Sequence, residues 1–123
     1  MKTNDSIFSF ENLEVWKCSR KLVVDVYSIV KKFPAVEKFA LCDQLRRAIV
    51  SVSSNIAEGN GRTSPNEKVR FIEIAYGSLL ESYCQLLLAA DLDYITVDDL
   101  NTLKKQFELI SKMLIGLRAK FKK

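Results

Sequence analysis

The stretch Leu41-Cys-Asp-Gln-Leu-Arg-Arg-Ala-Ile-Val-Ser-Val-Ser-Ser-Asn-Ile-Ala-Glu-Gly-Asn-Gly-Arg62 decides the fold. Leu41, Leu45, Ile49, Val52 and Ile56 recur at steps of three and four, the spacing that lines up side chains on one face of an α-helix. Gln44, Arg47, Ser51, Asn55, Glu58 and Arg62 recur in the same way, so a polar stripe flanks the apolar one. Ser and Asn compete with the helix for backbone hydrogen bonds and sit poorly in its interior unless they have a local partner or a capping role. The segment therefore predicts a bundle helix that carries something besides a core face. Gly59 and Gly61 then offer left-handed stop positions.

Working outward, helical signals continue on both sides and strand signals are nearly absent. Leu22, Val23, Val26, Tyr27 and Val30 mark a first helix over about 12–32, ended by Pro34, which pushes Phe33 out of the α region. The second helix is expected over about 36–58. Ser64-Pro65-Asn66-Glu67 reads as a capping box with proline at the first helical position, opening a third helix over 65–92. A fourth opens at Thr96 and runs over 97–120, with Asp98 and Asp99 in its first turn and Ile95 and Leu100 placed as a hydrophobic staple. Its seam is Leu100, Leu103, Phe107, Ile110, Leu114, Leu117 and Phe121. Three short loops make successive helices antiparallel neighbours, so the fold class is all-α, an up-down-up-down four-helix bundle in a single domain of 123 residues.

Composition narrows the function classes. Met1 to Trp16 has no apolar h-region, which speaks against a signal peptide, and no apolar run reaches membrane-spanning length. Cys18, Cys42 and Cys84 are odd in number and widely spaced, as expected of reduced thiols packed as small hydrophobes in a cytoplasmic protein. The chain has no histidine, which removes the commonest general base and metal ligand and excludes the Glu-x-x-His motifs of di-iron bundles. Ser51, Ser53 and Ser54 have no recognisable base, and Gly59-Asn60-Gly61-Arg62 lacks the Gly-Lys-Ser/Thr ending of a phosphate loop. No catalytic residue, cofactor or metal site is expected.

Two features remain. Net charge is +4, but residues 104–123 alone hold seven Lys or Arg against one Glu. Such a tail fits either an anionic partner or a solvated helix end that complements its own dipole. Candidate phosphate contacts are Lys17, Lys21 and Lys32 on the first helix, Arg46 and Arg47 on the second, and Lys104, Lys105, Lys112, Arg118, Lys120, Lys122 and Lys123 on the fourth. No exposed aromatic platform for base stacking stands out. The third helix, meanwhile, is apolar on two sides. Ile72, Ala75, Tyr76, Leu79, Tyr83, Leu86 and Ala90 serve the core, and Phe71, Ile74, Leu88, Ala89 and Leu92 stand opposite. Phe71, Ile74, Leu88 and Leu92 are thus candidates for an interface with another subunit, and Gly77 and Ser78 would permit close helix approach there.

Phe10-Glu-Asn-Leu-Glu-Val-Trp16, Phe33-Pro34 with Glu37, Gln44-Leu-Arg-Arg-Ala48, Asn55-Ile-Ala-Glu-Gly-Asn-Gly-Arg62 and Gly77-Ser-Leu-Leu-Glu81 occur in that order. Together they resemble the bacterial four-helix-bundle proteins encoded by intervening sequences of 23S rRNA genes, over nearly the whole chain. The resemblance implies a ring-like homo-oligomer, a homopentamer, and it brings a ribosomal-protein label without a place in the ribosome. It singles out Asn55, Glu58, Gly59, Gly61, Arg62, Ser78 and Glu81 as motif positions and implies no catalytic residue. The family is also similar to the accessory proteins of diversity-generating retroelements, basic pentameric barrels that bind nucleic acid and a reverse transcriptase. This chain departs from them in being only modestly basic. The expectation is a non-enzymatic, RNA-associated adaptor, with a protein-interaction scaffold as the alternative. A polar lattice joining the second helix, its loop and a neighbouring subunit is expected at the motif.

Overall fold

The computed structural model describes residues 7–122, and every regular element among them is helical. Four α-helices, α1 Glu14–Val30, α2 Leu41–Asn60, α3 Pro65–Asp91 and α4 Val97–Phe121, are joined by short connections, with 3-10 turns at Ser9–Asn12 and Ala35–Glu37. Cross-helix contacts give their directions. Gln44 of α2 meets Gln85 of α3, and Ser51 meets Ser78; moving from 44 to 51 along one helix moves from 85 to 78 along the other. Asp25 of α1 and Lys32, just past its end, meet Gln106 and Asp99 of α4 in the same reversed order. Each helix packs on two neighbours, with α1 closing on α4 and no diagonal pair approaching among the described residues. This is the antiparallel four-helix bundle.

The core follows from the apolar stripes. Leu22 and Val26 of α1, Leu45, Ile49 and Val52 of α2, Leu79 and Leu86 of α3, and Ile110 and Leu114 of α4 are fully buried. Burying each such side chain contributes about 1.5–3 kcal/mol before the entropy of ordering the chain is set against it. Tyr83 packs its ring against Phe107 at 5.2 Å between α3 and α4. Cys42 lies in this core, where burial pushes its thiol pKa up. Cys84, expected to pack as a small hydrophobe, is instead exposed on the outer side of α3.

Helix ends show where local signals suffice and where they do not. Thr96 and Asp99 form the complete capping box of α4, at 3.1 and 3.0 Å. Ser64 accepts the Glu67 N–H at 3.2 Å ahead of Pro65, but Glu67 turns to Arg70 at 3.8 Å rather than back to Ser64. The second helix starts at Leu41, not at 36, because Ala35–Glu37 forms a separate 3-10 turn after Pro34. Ala40 has no capping side chain, so the first-turn donor at Leu41 is met by Glu37 Oε1 at 3.2 Å. The other end also differs from expectation. Gly59 is a buried helical residue, Gly61 has φ −83°, and no described glycine has positive φ. The left-handed stop falls instead on Asp93, φ 62°, after α3. There the Tyr94 N–H bonds Ala89 O at 2.9 Å and the Asp93 N–H bonds Ala90 O at 3.0 Å, the paired bonds of a Schellman motif.

That turn aims Tyr94 across the bundle end. Its hydroxyl donates to Glu37 Oε2 at 2.7 Å, and its ring lies 5.6 Å from Phe33. Lys32 reaches Asp99 at 2.6 Å beside it. The two connections at this end, α1–α2 and α3–α4, are thereby tied together. Hydrogen bonding from Lys32 holds the Asp99 carboxyl below its ordinary 3.8, and hydrogen bonding from Lys21, with Gln106 adding to it, does the same for Asp25. A depressed carboxyl pKa stabilises the fold fully above the unfolded value and loses that contribution as pH falls through the folded one. Thermal unfolding followed by circular dichroism should therefore give a midpoint that is steady near neutrality and drops once pH falls below about 4. Asp99→Asn should lower the midpoint at neutral pH and shrink the acid drop. An undiminished acid drop in that variant would refute the role given to Asp99.

Candidate functional site

The polar stripe of α2 divides in the structure. Its middle faces α3. Ser51 Oγ lies 2.8 Å from Ser78 Oγ, and Asn55 Nδ2 donates to Ser51 O and Oγ at 2.8 and 2.9 Å. Ser82 Oγ donates to Ser78 O at 2.8 Å, and Gln85 Nε2 makes longer bonds of 3.4 and 3.3 Å to Gln44 and Glu81. On the other flank Ser53 Oγ meets Ser19 Oγ of α1 at 2.9 Å. The hydroxyls that looked out of place in a helix thus bridge α2 to both neighbours. Their small size matters as much as their polarity, because it lets the backbones approach.

The C-terminal part of the stripe is built around Gly59. A Cβ there would stand 2.8 Å from the Cβ of Phe71, far inside contact distance. Phe71 is consequently buried, at 9% exposure, within its own chain. This corrects its reading as a subunit-interface residue: the α2–α3 crossing claims it. Arg62 lies over the Phe71 ring at 4.6 Å and pairs with Glu58 at 3.8 Å. Lys68 Nζ donates to Asn60 O at 3.0 Å, and Asn60 Nδ2 reaches Ser9 Oγ at 2.7 Å. Glu58 is 58% exposed at its side chain, so its carboxylate is solvated. Gly61 would meet only Glu58 O, at 3.5 Å, if it carried a Cβ.

The outer side of α3 is the second surface. Ile74, Leu88 and Leu92 are exposed, joined by Leu80 and Leu87. Ala89, expected among them, is fully buried. Gly77 and Glu81 are exposed on this side, with Ser78 at its margin, and a Cβ on Gly77 would meet nothing within 4 Å. The close approach that Gly77 would permit is not used inside the chain.

The cations form the third group, and ion pairing sorts them. Lys17 pairs with Glu14 at 3.6 Å, Lys21 with Asp25 at 2.7 Å, Lys32 with Asp99 at 2.6 Å and Arg118 with Glu73 at 3.0 Å. These four have acidic neighbours and offer less to a phosphate than sequence position implied. The spacing of Lys21 and Asp25 made their pairing readable on a helix; the Lys32 and Arg118 partners come from distant segments. Arg47 pairs with Asp43 at 3.2 Å while remaining mostly exposed. Arg46, Lys104, Lys105, Lys112, Lys120 and Lys122 make no ion pair among the described residues. Lys123 lies outside them. No cluster of His, Cys, Asp and Glu suited to a metal occurs among the described residues, and no helix there is long and apolar enough to cross a membrane.

Gly59→Ala and Gly77→Ala should behave oppositely in the isolated chain. The first forces Phe71 away and should cost about 1–3 kcal/mol of stability; the second should raise helix stability by about 0.5–1 kcal/mol. Denaturant unfolding at concentrations dilute enough to hold the chain monomeric checks both, and a neutral Gly59→Ala would contradict the close α2–α3 approach.

With this geometry in place, comparison with known proteins adds the following. Residues 11–116 match the family described as the 23S rRNA-intervening sequence protein. Among solved structures, a protein of unknown function from the S23 ribosomal protein family of Bacteroides thetaiotaomicron superposes with a TM-score of 0.78 at 24% identity, covering 85% of this chain and 97% of that one. At that identity the likeness shows the fold. No curated protein matches the chain.

Proposed function

The chain belongs to the 23S rRNA-intervening sequence protein family, and on that premise we propose that it is a non-enzymatic, ring-forming homo-oligomer that acts as an RNA-associated adaptor in the cytoplasm. The observation that carries the reading is the separation of two kinds of surface. Cations without acidic partners lie on α4 and on the start of α2, and uncovered aliphatic side chains lie on the outer side of α3.

Self-association is supported by the α3 side. Large aliphatic residues there flank a mid-helix glycine that no intrachain contact requires. A glycine in that place lowers helix stability by about 1 kcal/mol relative to alanine, and a helix of a second copy packed against it would give the small residue a use. RNA association is supported by Arg46, Lys104, Lys105, Lys112, Lys120 and Lys122, with Arg47 beside them. Contacts of this kind neutralise phosphates and release counterions without reading sequence. The apolar side also favours a second reading, a protein-interaction scaffold with no nucleic-acid role.

Light scattering should give a particle several times the 14.0 kDa chain, and Leu88→Glu should shift it to the monomer mass. A wild-type monomer at micromolar concentration overturns self-association. Structured RNA should be retarded at low salt, and Lys104→Gln with Lys112→Gln should reduce the log–log salt slope by about 0.7–0.9 per lost contact. Absence of retardation at low salt, with protein well above micromolar, overturns the RNA role and leaves the scaffold.

A further inference from the structure

Resting on the RNA reading above, we propose that the recess on the outer side of α1 and α2, around Tyr27, Arg46 and Arg47, holds one nucleotide of a single strand. The two guanidiniums take its phosphate and the Tyr27 ring takes its base.

The recess is broad and shallow, with a volume of about 500 Å³ open to solvent, so it would hold a nucleotide laid on the surface rather than enclosed. Its lining combines the three chemistries a nucleotide needs. Tyr27 of α1 and Val50 of α2 are 41% and 39% exposed, so an aromatic face and an aliphatic patch stand bare in the same depression. Arg46 and Arg47 are consecutive on α2 and both line it. Arg46 makes one long bond, 3.4 Å to Lys38 O, while Arg47 is held through Nε by Asp43 at 3.2 Å. Two guanidiniums and one carboxylate leave a single positive charge, which matches one phosphodiester. The Asp43 bond occupies Nε of Arg47 and leaves its terminal nitrogens to bind phosphate oxygens. Ser54 Oγ makes no hydrogen bond among the described residues. Asn55, with Nδ2 assigned to the Ser51 oxygens, keeps Oδ1 as an acceptor. These two groups face the recess as partners for a base edge or a sugar hydroxyl.

The apolar depression between α3 and α4 lacks this combination. Tyr83, Phe107 and Leu80 line it, together with Lys104 and Glu108. The recess therefore supplies the stacking platform that the sequence did not reveal. Tyr27 belongs to the apolar repeat of the first helix by spacing, yet it sits at the outer margin of that stripe. The recess also connects to the motif, because the Ser51 hydroxyl that accepts from Asn55 is the same hydroxyl that meets Ser78.

The test uses the full chain and fluorescence anisotropy with a labelled single-stranded oligoribonucleotide, an abasic strand of the same length, and the free mononucleotides AMP and UMP. Tyr27→Leu should weaken binding of the base-bearing strand by about 5- to 100-fold, as expected for loss of a stacked base. It should leave the abasic strand unchanged, and Tyr27→Phe should bind within about two-fold of wild type because the aromatic face remains. Arg46→Gln with Arg47→Gln should weaken both strands and lower the salt slope by about 0.7, the value for one phosphate of a single strand. Circular dichroism verifies that each variant is folded. If wild type binds RNA and Tyr27→Leu binds it equally well, the recess assignment is overturned and the adaptor reading stands. If no strand binds but AMP or UMP shows Tyr27-dependent binding, the recess takes free nucleotides and its assignment to a single strand is overturned. If neither strand nor mononucleotide binds, the recess assignment is overturned, while retardation of structured RNA separately decides the adaptor reading.

Discussion

The close crossing of α2 and α3 is the constraint on which the rest of the structure depends. At Gly59 the helices approach so nearly that one added carbon would stand 2.8 Å from Phe71. Along the same line Ser51 and Ser78 meet through their hydroxyls at 2.8 Å. Small residues at a helix crossing remove the side-chain spacer, and the two half-buried hydroxyls satisfy each other across it. Once this crossing is set, several features follow without further instruction. Phe71 is buried, Arg62 stacks on its ring, and Lys68 reaches the carbonyl end of α2. α2 runs on through Gly59 to Asn60, because at Gly59 the glycine serves packing and not a turn.

The four helices were legible because their information is local. Apolar residues at steps of three and four, Ser64-Pro65, and Thr96 with Asp99 each state a helix within a few residues. Errors arose where the partner is remote. Glu37 caps α2 and receives the Tyr94 hydroxyl from across the bundle, so nothing in its own neighbourhood marks 38–40 as non-helical. Asp93 takes a left-handed conformation for which glycine is the usual signal. Phe71 and Ala89 were misplaced because α3 packs on both α2 and α4, and its buried arc is wider than one stripe. At the candidate site the residues were legible and their roles were not. Ser51, Asn55 and Ser78 announce themselves by being polar in a helix, but only their mutual distances show a bridge between helices.

Charge shows the same gap between residue and role. A net charge of +4 describes the chain but not its surface. Lys21 on α1 and Lys32 just past its end are placed as plausibly as any cation, yet Asp25 and Asp99 hold them at 2.7 and 2.6 Å, the first within one helix and the second across the bundle end. A cation already bonded to a carboxylate must give up that bond before meeting a phosphate, whereas Lys104 or Lys112 gives up only water. The cations available to a partner are therefore fewer than the sequence count.

These two points bear on why a polar motif should persist in a bundle without histidine or a metal cluster among its described residues. The motif's side chains act first with the serines beside them. Asn55 bonds Ser51, Ser51 bonds Ser78, and Ser82 bonds the Ser78 carbonyl. A linked set of this kind fixes rotamers and helix register more firmly than an apolar contact of equal area, since each bond has one partner and a narrow geometry. Fixed register in turn sets what lies outward on either side: Gly77 and the aliphatic side chains of α3 on one side, Arg46, Arg47 and Tyr27 on the other. The motif is best understood as the gauge between two surfaces, and its chemistry is the chemistry of position.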